Sequence, residues 1–240
     1  MNMAVCELKN EKRKKLKPFP IKKEELKSIM EPRGAITGGL YRACEWIMRL
    51  AYLNLLWILF SVAGLFILGL FPSTAAMCAV IRKWLRGEGD TSVFQNFSSA
   101  YRCYFLKANV LGYILLGLGI VIFVDIRLFA NIDGLVGVLL LAIGFACLFL
   151  YCIVLLYVFP VLVSLHTSLF QTIKYALLIG ISSLPFTLLM GMSILMLGIV
   201  FFYIPALSIF FLGSAAVLVM MWITQSIFRR ITKLQGELTS

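Results

Sequence analysis

Between Lys174 and Arg229 the chain carries no Asp, Glu, Lys or Arg. A soluble domain cannot keep so long a stretch out of water, because a spanning helix needs about 20 mostly apolar residues and no more. This run holds enough for two. The same reading extends to the whole chain. Of its 240 residues, 61% are hydrophobic and 14% charged, with a mean hydropathy of +0.97, whereas soluble domains run at about 45–50% apolar and about 25% charged. The fold class expected is an all-α polytopic membrane bundle. The charge clusters before Arg49 or in short intervals between apolar runs, which leaves no room for a sizeable soluble domain.

The domain reading is threefold. Residues 1–37 form a basic N-terminal tail, residues 38–228 the membrane domain, and residues 229–240 a short C-terminal tail. The first 33 residues hold ten Lys/Arg and five Glu and no apolar core of the kind a signal peptide needs. The tail is expected to be cytoplasmic and to fix orientation, with anionic lipid as a second use. Nothing interleaves aromatic residues with the basic run, so nucleic acid is not an expected partner.

Five segments approach spanning length: Tyr41 to Phe66, Ala108 to Ala130, Leu135 to Leu165, Tyr175 to Val200 and Pro205 to Ile227. Five crossings would leave Arg82, Lys83, Arg86, Arg102, Lys107, Lys174, Arg229, Arg230 and Lys233 outside, against the positive-inside bias of short loops. If Pro72 to Arg86 is a return helix, only Arg127 of the 22 basic residues lies outside. Six crossing helices with both termini cytoplasmic are therefore expected. Pro72 suits the first turn of the return helix, with Ser73 and Thr74 as candidates to satisfy its free amides. Its apolar part is short, so tilt, snorkelling and cover from neighbours must help it.

The interval Arg82 to Asn109 is the first candidate site. Gly87 and Gly89 break one helix, Thr91 or Ser92 caps the next, and Phe94, Phe97, Tyr101, Tyr104 and Phe105 recur at helical spacing. Val93 to Lys107 reads as a short amphipathic cytoplasmic helix leading into the following span. Its surface residues, with the basic run before it, are Arg82, Lys83, Trp84, Arg86, Phe94, Phe97, Tyr101, Arg102 and Lys107. Two uses stay open: an interfacial belt meeting lipid headgroups, or a docking surface for a partner. No Walker sequence occurs, so any ATP chemistry would be a partner's.

The second candidates are polar groups at membrane depth, Asn54 and Asp125. Asn54 is expected to bond across helices, and Asp125, with Arg127 and Asp133, to sit near the outer face. His166 is the only histidine and lacks a companion ligand. The six cysteines form no CxxC and read as small apolar fillers. Ser182, Ser183 and Pro185 should kink the Tyr175 to Val200 span, as Pro160 should the one before it. Ala108 with Gly112, and Ala142 with Ala146, offer small faces for close helix approach. No Ser/His/Asp set, HExxH or paired carboxylate is present, so neither enzyme chemistry, nor a metal, nor a cofactor is expected.

A resemblance adds to this reading. Gly38-Gly39-Leu40, Trp46, the run Leu53 to Trp57, the proline-centred Gly69 to Ala76, Arg82 to Glu88, and the series Phe94, Phe97, Tyr101, Phe105, Lys107 resemble the YesL family of bacterial membrane proteins. That family is a domain of unknown function, chiefly from Gram-positive bacteria. Its genes often neighbour those for carbohydrate ABC transporters, polysaccharide-degrading enzymes and two-component regulators. The resemblance thus implies an accessory or regulatory role in carbohydrate uptake or sensing, with a carbohydrate ABC transporter or sensor kinase as partner. The lipid bilayer is the partner that composition itself implies, and a homo-oligomer stays open. It implies no catalytic or ligand residue. The alternative is a small transporter or permease-like subunit.

Overall fold

The structure, a computed structural model, describes residues 35–88, 92–165 and 167–238. Among them every regular element is a helix: α1 (Ala35–Ala63), α2 (Leu70–Leu85), α3 (Val93–Phe129), α4 (Gly134–Leu165), α5 (Leu169–Ser182), α6 (Leu184–Tyr203) and α7 (Pro205–Leu238). The chain divides into two compact units at Tyr52. In the first, α1 carries an Arg49–Glu45 ion pair one turn apart, at 2.5 Å. The second unit, from Leu53 on, holds everything that follows. The expected tail at residues 1–37 lies outside the described residues up to position 34, and α1 already includes Ala35 to Thr37. The expected C-terminal tail continues α7 as helix to Leu238.

Among the described residues five helices are long and apolar enough to cross a bilayer: α1 over Ala43–Ala63, α3, α4, α6, and α7 over Pro205–Thr232. The all-α membrane class expected from composition therefore stands. The short helix α2 is different in kind. At 16 residues and about 1.5 Å per residue it extends about 24 Å, short of the roughly 30 Å of hydrocarbon. It packs against α3, α4 and α7, with Ser73, Ala75, Ala76, Met77, Cys78, Val80 and Ile81 all buried. Small residues at four of these positions let neighbouring helices close in on every side. Ser73 and Thr74 do not cap its amides as expected. Each donates backward along the helix, Ser73 Oγ to Gly69 O at 2.6 Å and Thr74 Oγ1 to Leu70 O at 2.8 Å, so each hydroxyl is spent on the carbonyl one turn below.

The helix expected over Val93 to Lys107 leads into the following span without a break, as the first part of the 37-residue α3, because no glycine or proline interrupts the run before the apolar stretch begins. Ser92 stands at its N-cap without a side-chain cap bond, and Thr91 lies outside the described residues. The Tyr175 to Val200 span is two helices, broken at Ser183, whose φ of −124° and ψ of 44° leave the helical region. Pro185 has no N–H to close the ladder. Thr187 repairs the gap: its Oγ1 lies 2.8 Å from Gly180 O and 3.2 Å from Ser183 O, while Tyr157 Oη of α4 approaches it at 3.0 Å. With the threonine proton on a carbonyl, Tyr157 is the donor of the third bond.

The packing faces are mixed in outcome. Ala108 and Gly112 are buried, and the Phe71 ring lies where a side chain at position 112 would go. Ala142 and Ala146 are exposed. The tight α3–α4 contact is made instead by Gly119 against Tyr151 and Gly144 against Ile126, with Tyr151 Oη donating to Leu115 O at 3.1 Å. The α6–α7 junction falls where expected, at Ile204 before Pro205.

Candidate functional site

The expected basic and aromatic surface resolves into an inner and an outer set. Arg82, Trp84 and Phe97 are buried and so do not belong to an accessible face. Arg82 donates from Nη1 to Val163 O, one of the last four carbonyls of α4, which have no partner within their own helix. A guanidinium at a helix C-terminus also meets the negative end of the helix dipole. The basic residue that reads as a surface charge in sequence is thus a capping group between α2 and α4. Lys83 Nζ donates to Asn96 Oδ1 at 3.1 Å and ties α2 to α3.

Phe97 belongs to an aromatic cluster centred on Phe60, a residue that the sequence offers no reason to single out from its apolar run. The Phe60 ring centroid lies 5.1 Å from Phe97, 5.0 Å from Tyr101 and 6.2 Å from Phe94, all within the range of favourable tilted pairs. Tyr101 in turn lies 5.6 Å from Phe105. The helical repeat of aromatics on α3 is therefore mainly the seam that holds α1. What remains outward is Arg86, Phe94 and Arg102, which are exposed, with Lys83, Tyr101 and Lys107 half-buried.

Asn54 is buried and bonds across helices as its position suggests. Its Nδ2 donates to Ile209 O at 2.7 Å, and its Oδ1 accepts from the Ser214 amide at 3.0 Å. Gly213 makes this approach possible, since a Cβ there would stand 2.8 Å from Asn54 Oδ1. Trp57, one turn further along α1, donates from Nε1 to Thr74 Oγ1 at 3.1 Å. Asp125 is half-buried on α3, two residues before Arg127, whose guanidinium lies 5.2 Å from the Phe123 ring centre.

Asn109 and Tyr113 are polar residues of α3 that sequence reasoning missed. Asn109 Nδ2 donates to Leu68 O and to Phe105 O, both at 3.0 Å, and Tyr113 Oη donates to Ile67 O at 2.8 Å. Their spacing of four residues was the available signal. Buried side-chain atoms without a hydrogen-bond partner include Ser61 Oγ, Asn109 Oδ1, Thr224 Oγ1 and Gln225 Nε2. Among the described residues no group of three or more His, Cys, Asp or Glu is placed to hold a metal, and His166 lies outside them.

The helices and their apolar exteriors define a multi-pass α-helical membrane protein whose interhelical polar bonds converge on α1, α2 and α3. Residues 50–126 match the family described as a protein of unknown function, DUF624. The chain is 35% identical to the uncharacterized protein YteU of Bacillus subtilis (strain 168), over 87% of its own length and 93% of the relative's. It is 35% identical to the uncharacterized protein YesL of the same organism, over 85% and 96% of the two chains, and 38% identical to the uncharacterized protein YesV, over 60% and 70%. The chain belongs to this YesL-like family. No solved structure matches it.

Proposed function

We propose that the protein is a non-enzymatic accessory or regulatory component of the bacterial cell membrane, with both termini cytoplasmic, that associates with a carbohydrate ABC transporter or a sensor kinase. The orientation follows from the charges: with Arg86, Arg102, Lys107 and Arg229 to Lys233 on the cytoplasmic side, the basic excess faces inward. The observation that carries the reading is the engagement of Asn54. Both of its polar atoms are taken by the α7 backbone, so this buried polar group of α1 acts as a helix clamp and offers nothing to a solute. The outward-facing Arg86, Phe94 and Arg102 then form a basic, partly aromatic patch suited to the acidic face of a partner subunit.

Crosslinking in native membranes, gentle purification and mass spectrometry test this reading. Near-stoichiometric recovery of a sugar-transporter subunit or sensor kinase is expected. Recovery of the chain alone, together with solute flux through the reconstituted protein, would favour the small-carrier alternative.

A further inference from the structure

From Val62 to Phe71, the segment that joins α1 to α2 contains no polar side chain. At its apex Leu65, Phe66, Ile67 and Leu68 are 78%, 57%, 69% and 47% exposed. The α3–α4 turn is the opposite in character, with Arg127, Asn131 and Asp133 around it. A turn bathed in water has no use for four consecutive exposed apolar residues.

The backbone of the apex is closed off as hydrocarbon requires, since every amide and carbonyl in lipid needs an internal partner. Gly64, Leu65, Phe66, Ile67 and Leu68 all donate their amides within the segment, to Phe60, Val62, Ser61, Leu65 and Gly64 carbonyls respectively. The carbonyls of Ile67 and Leu68 receive Tyr113 Oη and Asn109 Nδ2. Leu65 and Phe66 also adopt φ of 55° and 57°, the left-handed region in which glycine is free of strain and large side chains are not. Two bulky apolar groups thus occupy an apex at a conformational cost that glycine would avoid.

Depth is set by α3. The apex is bonded to Asn109 and Tyr113, just beyond Lys107, whereas Arg127 lies 14 to 18 residues further on. At about 1.5 Å per residue, the apex stops roughly 21–27 Å along α3 short of Arg127, most of a bilayer's thickness of about 30 Å.

We infer that the α1–α2 turn is a re-entrant wedge: it ends among the lipid acyl chains on the Lys107 side of the bilayer and does not reach the face where α3 turns into α4. Asn109 and Tyr113 are the groups that make this tolerable, by capping the two apex carbonyls. The inference is independent of the accessory reading and replaces the two crossings expected of α1 and α2 with one hairpin that enters and leaves on the same side.

Two measurements on the full-length protein in native membranes test it. In the first, single substitutions Phe66→Cys, Ser92→Cys and Asp133→Cys are treated with a membrane-impermeant maleimide from each side, and labelling is scored above the parent's own cysteines. In the second, p-benzoylphenylalanine at position 66 is photolysed and its adducts weighed. The expected result is labelling of position 92 from one side and 133 from the other, no labelling of position 66 from either, and lipid adducts at position 66. Labelling of position 66 from the Asp133 side would show a full crossing and overturn the inference. Labelling from the Ser92 side would put the apex in water, and a protein–protein adduct in place of lipid would assign the apex to a second copy or partner. Both would overturn it too.

Discussion

Removing the Asn54 side chain should loosen the junction of α1 and α7 by an amount that the geometry bounds. Asn54→Ala deletes two interhelical hydrogen bonds, at 2.7 and 3.0 Å. Such bonds within membranes average about 0.6 kcal/mol and reach about 1.7 kcal/mol each, so the loss is about 1–3 kcal/mol, or about 5- to 150-fold in the unfolding equilibrium. Gly213→Ala supplies a second perturbation of the same contact, because its Cβ would stand 2.8 Å from Asn54 Oδ1. Once Asn54 is alanine that conflict disappears, so Gly213→Ala should cost less in the Asn54→Ala background than in the parent, with a coupling of at least about 0.5 kcal/mol. The assay is reversible unfolding in mixed micelles with increasing denaturing detergent, followed by tryptophan fluorescence and circular dichroism, on all four members of the cycle. An Asn54→Ala cost below about 0.3 kcal/mol, or additivity within that margin, would refute the clamp.

The same unfolding assay checks three other contacts. Arg82→Gln should cost about 1.5–3 kcal/mol, the range for a hydrogen bond from a charged group, whereas Arg86→Gln, at an exposed position, should stay within about 0.5 kcal/mol; equal effects would contradict the capping role. Thr187→Val keeps the side-chain volume but strips the hydroxyl from Tyr157 and from the α5–α6 break, for an expected loss of about 1–3 kcal/mol. Phe60→Leu should cost about 1–3 kcal/mol through its three ring contacts, and no loss would mean that the aromatic cluster is incidental.

What the sequence discloses here follows from how local its signals are. Membrane class, the Pro205 junction and the break near Pro185 depend on composition or on a residue that cannot join a helix, and each appears where it was read. The split at Ser183 was visible as a kink but not as two helices, because its severity depends on how Thr187 and Tyr157 close it. The surface at Arg82 to Lys107 was misjudged in part for a related reason. A helical repeat of aromatics on α3 looks the same whether it faces headgroups or Phe60, and only the position of α1 decides. Arg82 reads as a snorkelling charge until the end of α4 is seen beside it. Ala142 and Ala146 have the spacing of a packing face, yet glycines 119 and 144, which admit Tyr151 and Ile126, take that role. The apex from Leu65 to Leu68 passed as the end of a span, since apolar residues carry no mark of how deep they stop.

The functional account assigns partner binding to the outward basic patch. Its most direct test is to compare the parent with an Arg86→Glu, Arg102→Glu double variant by native-membrane crosslinking and co-purification, with insertion verified for both. The account predicts that the parent brings down a carbohydrate-transporter subunit or a sensor kinase near stoichiometrically and that the variant, equally inserted, loses at least ten-fold of that yield, about 1.4 kcal/mol. Equal capture by both proteins would remove the patch from the interaction, and a parent that copurifies with neither and moves solute alone would contradict the accessory role itself.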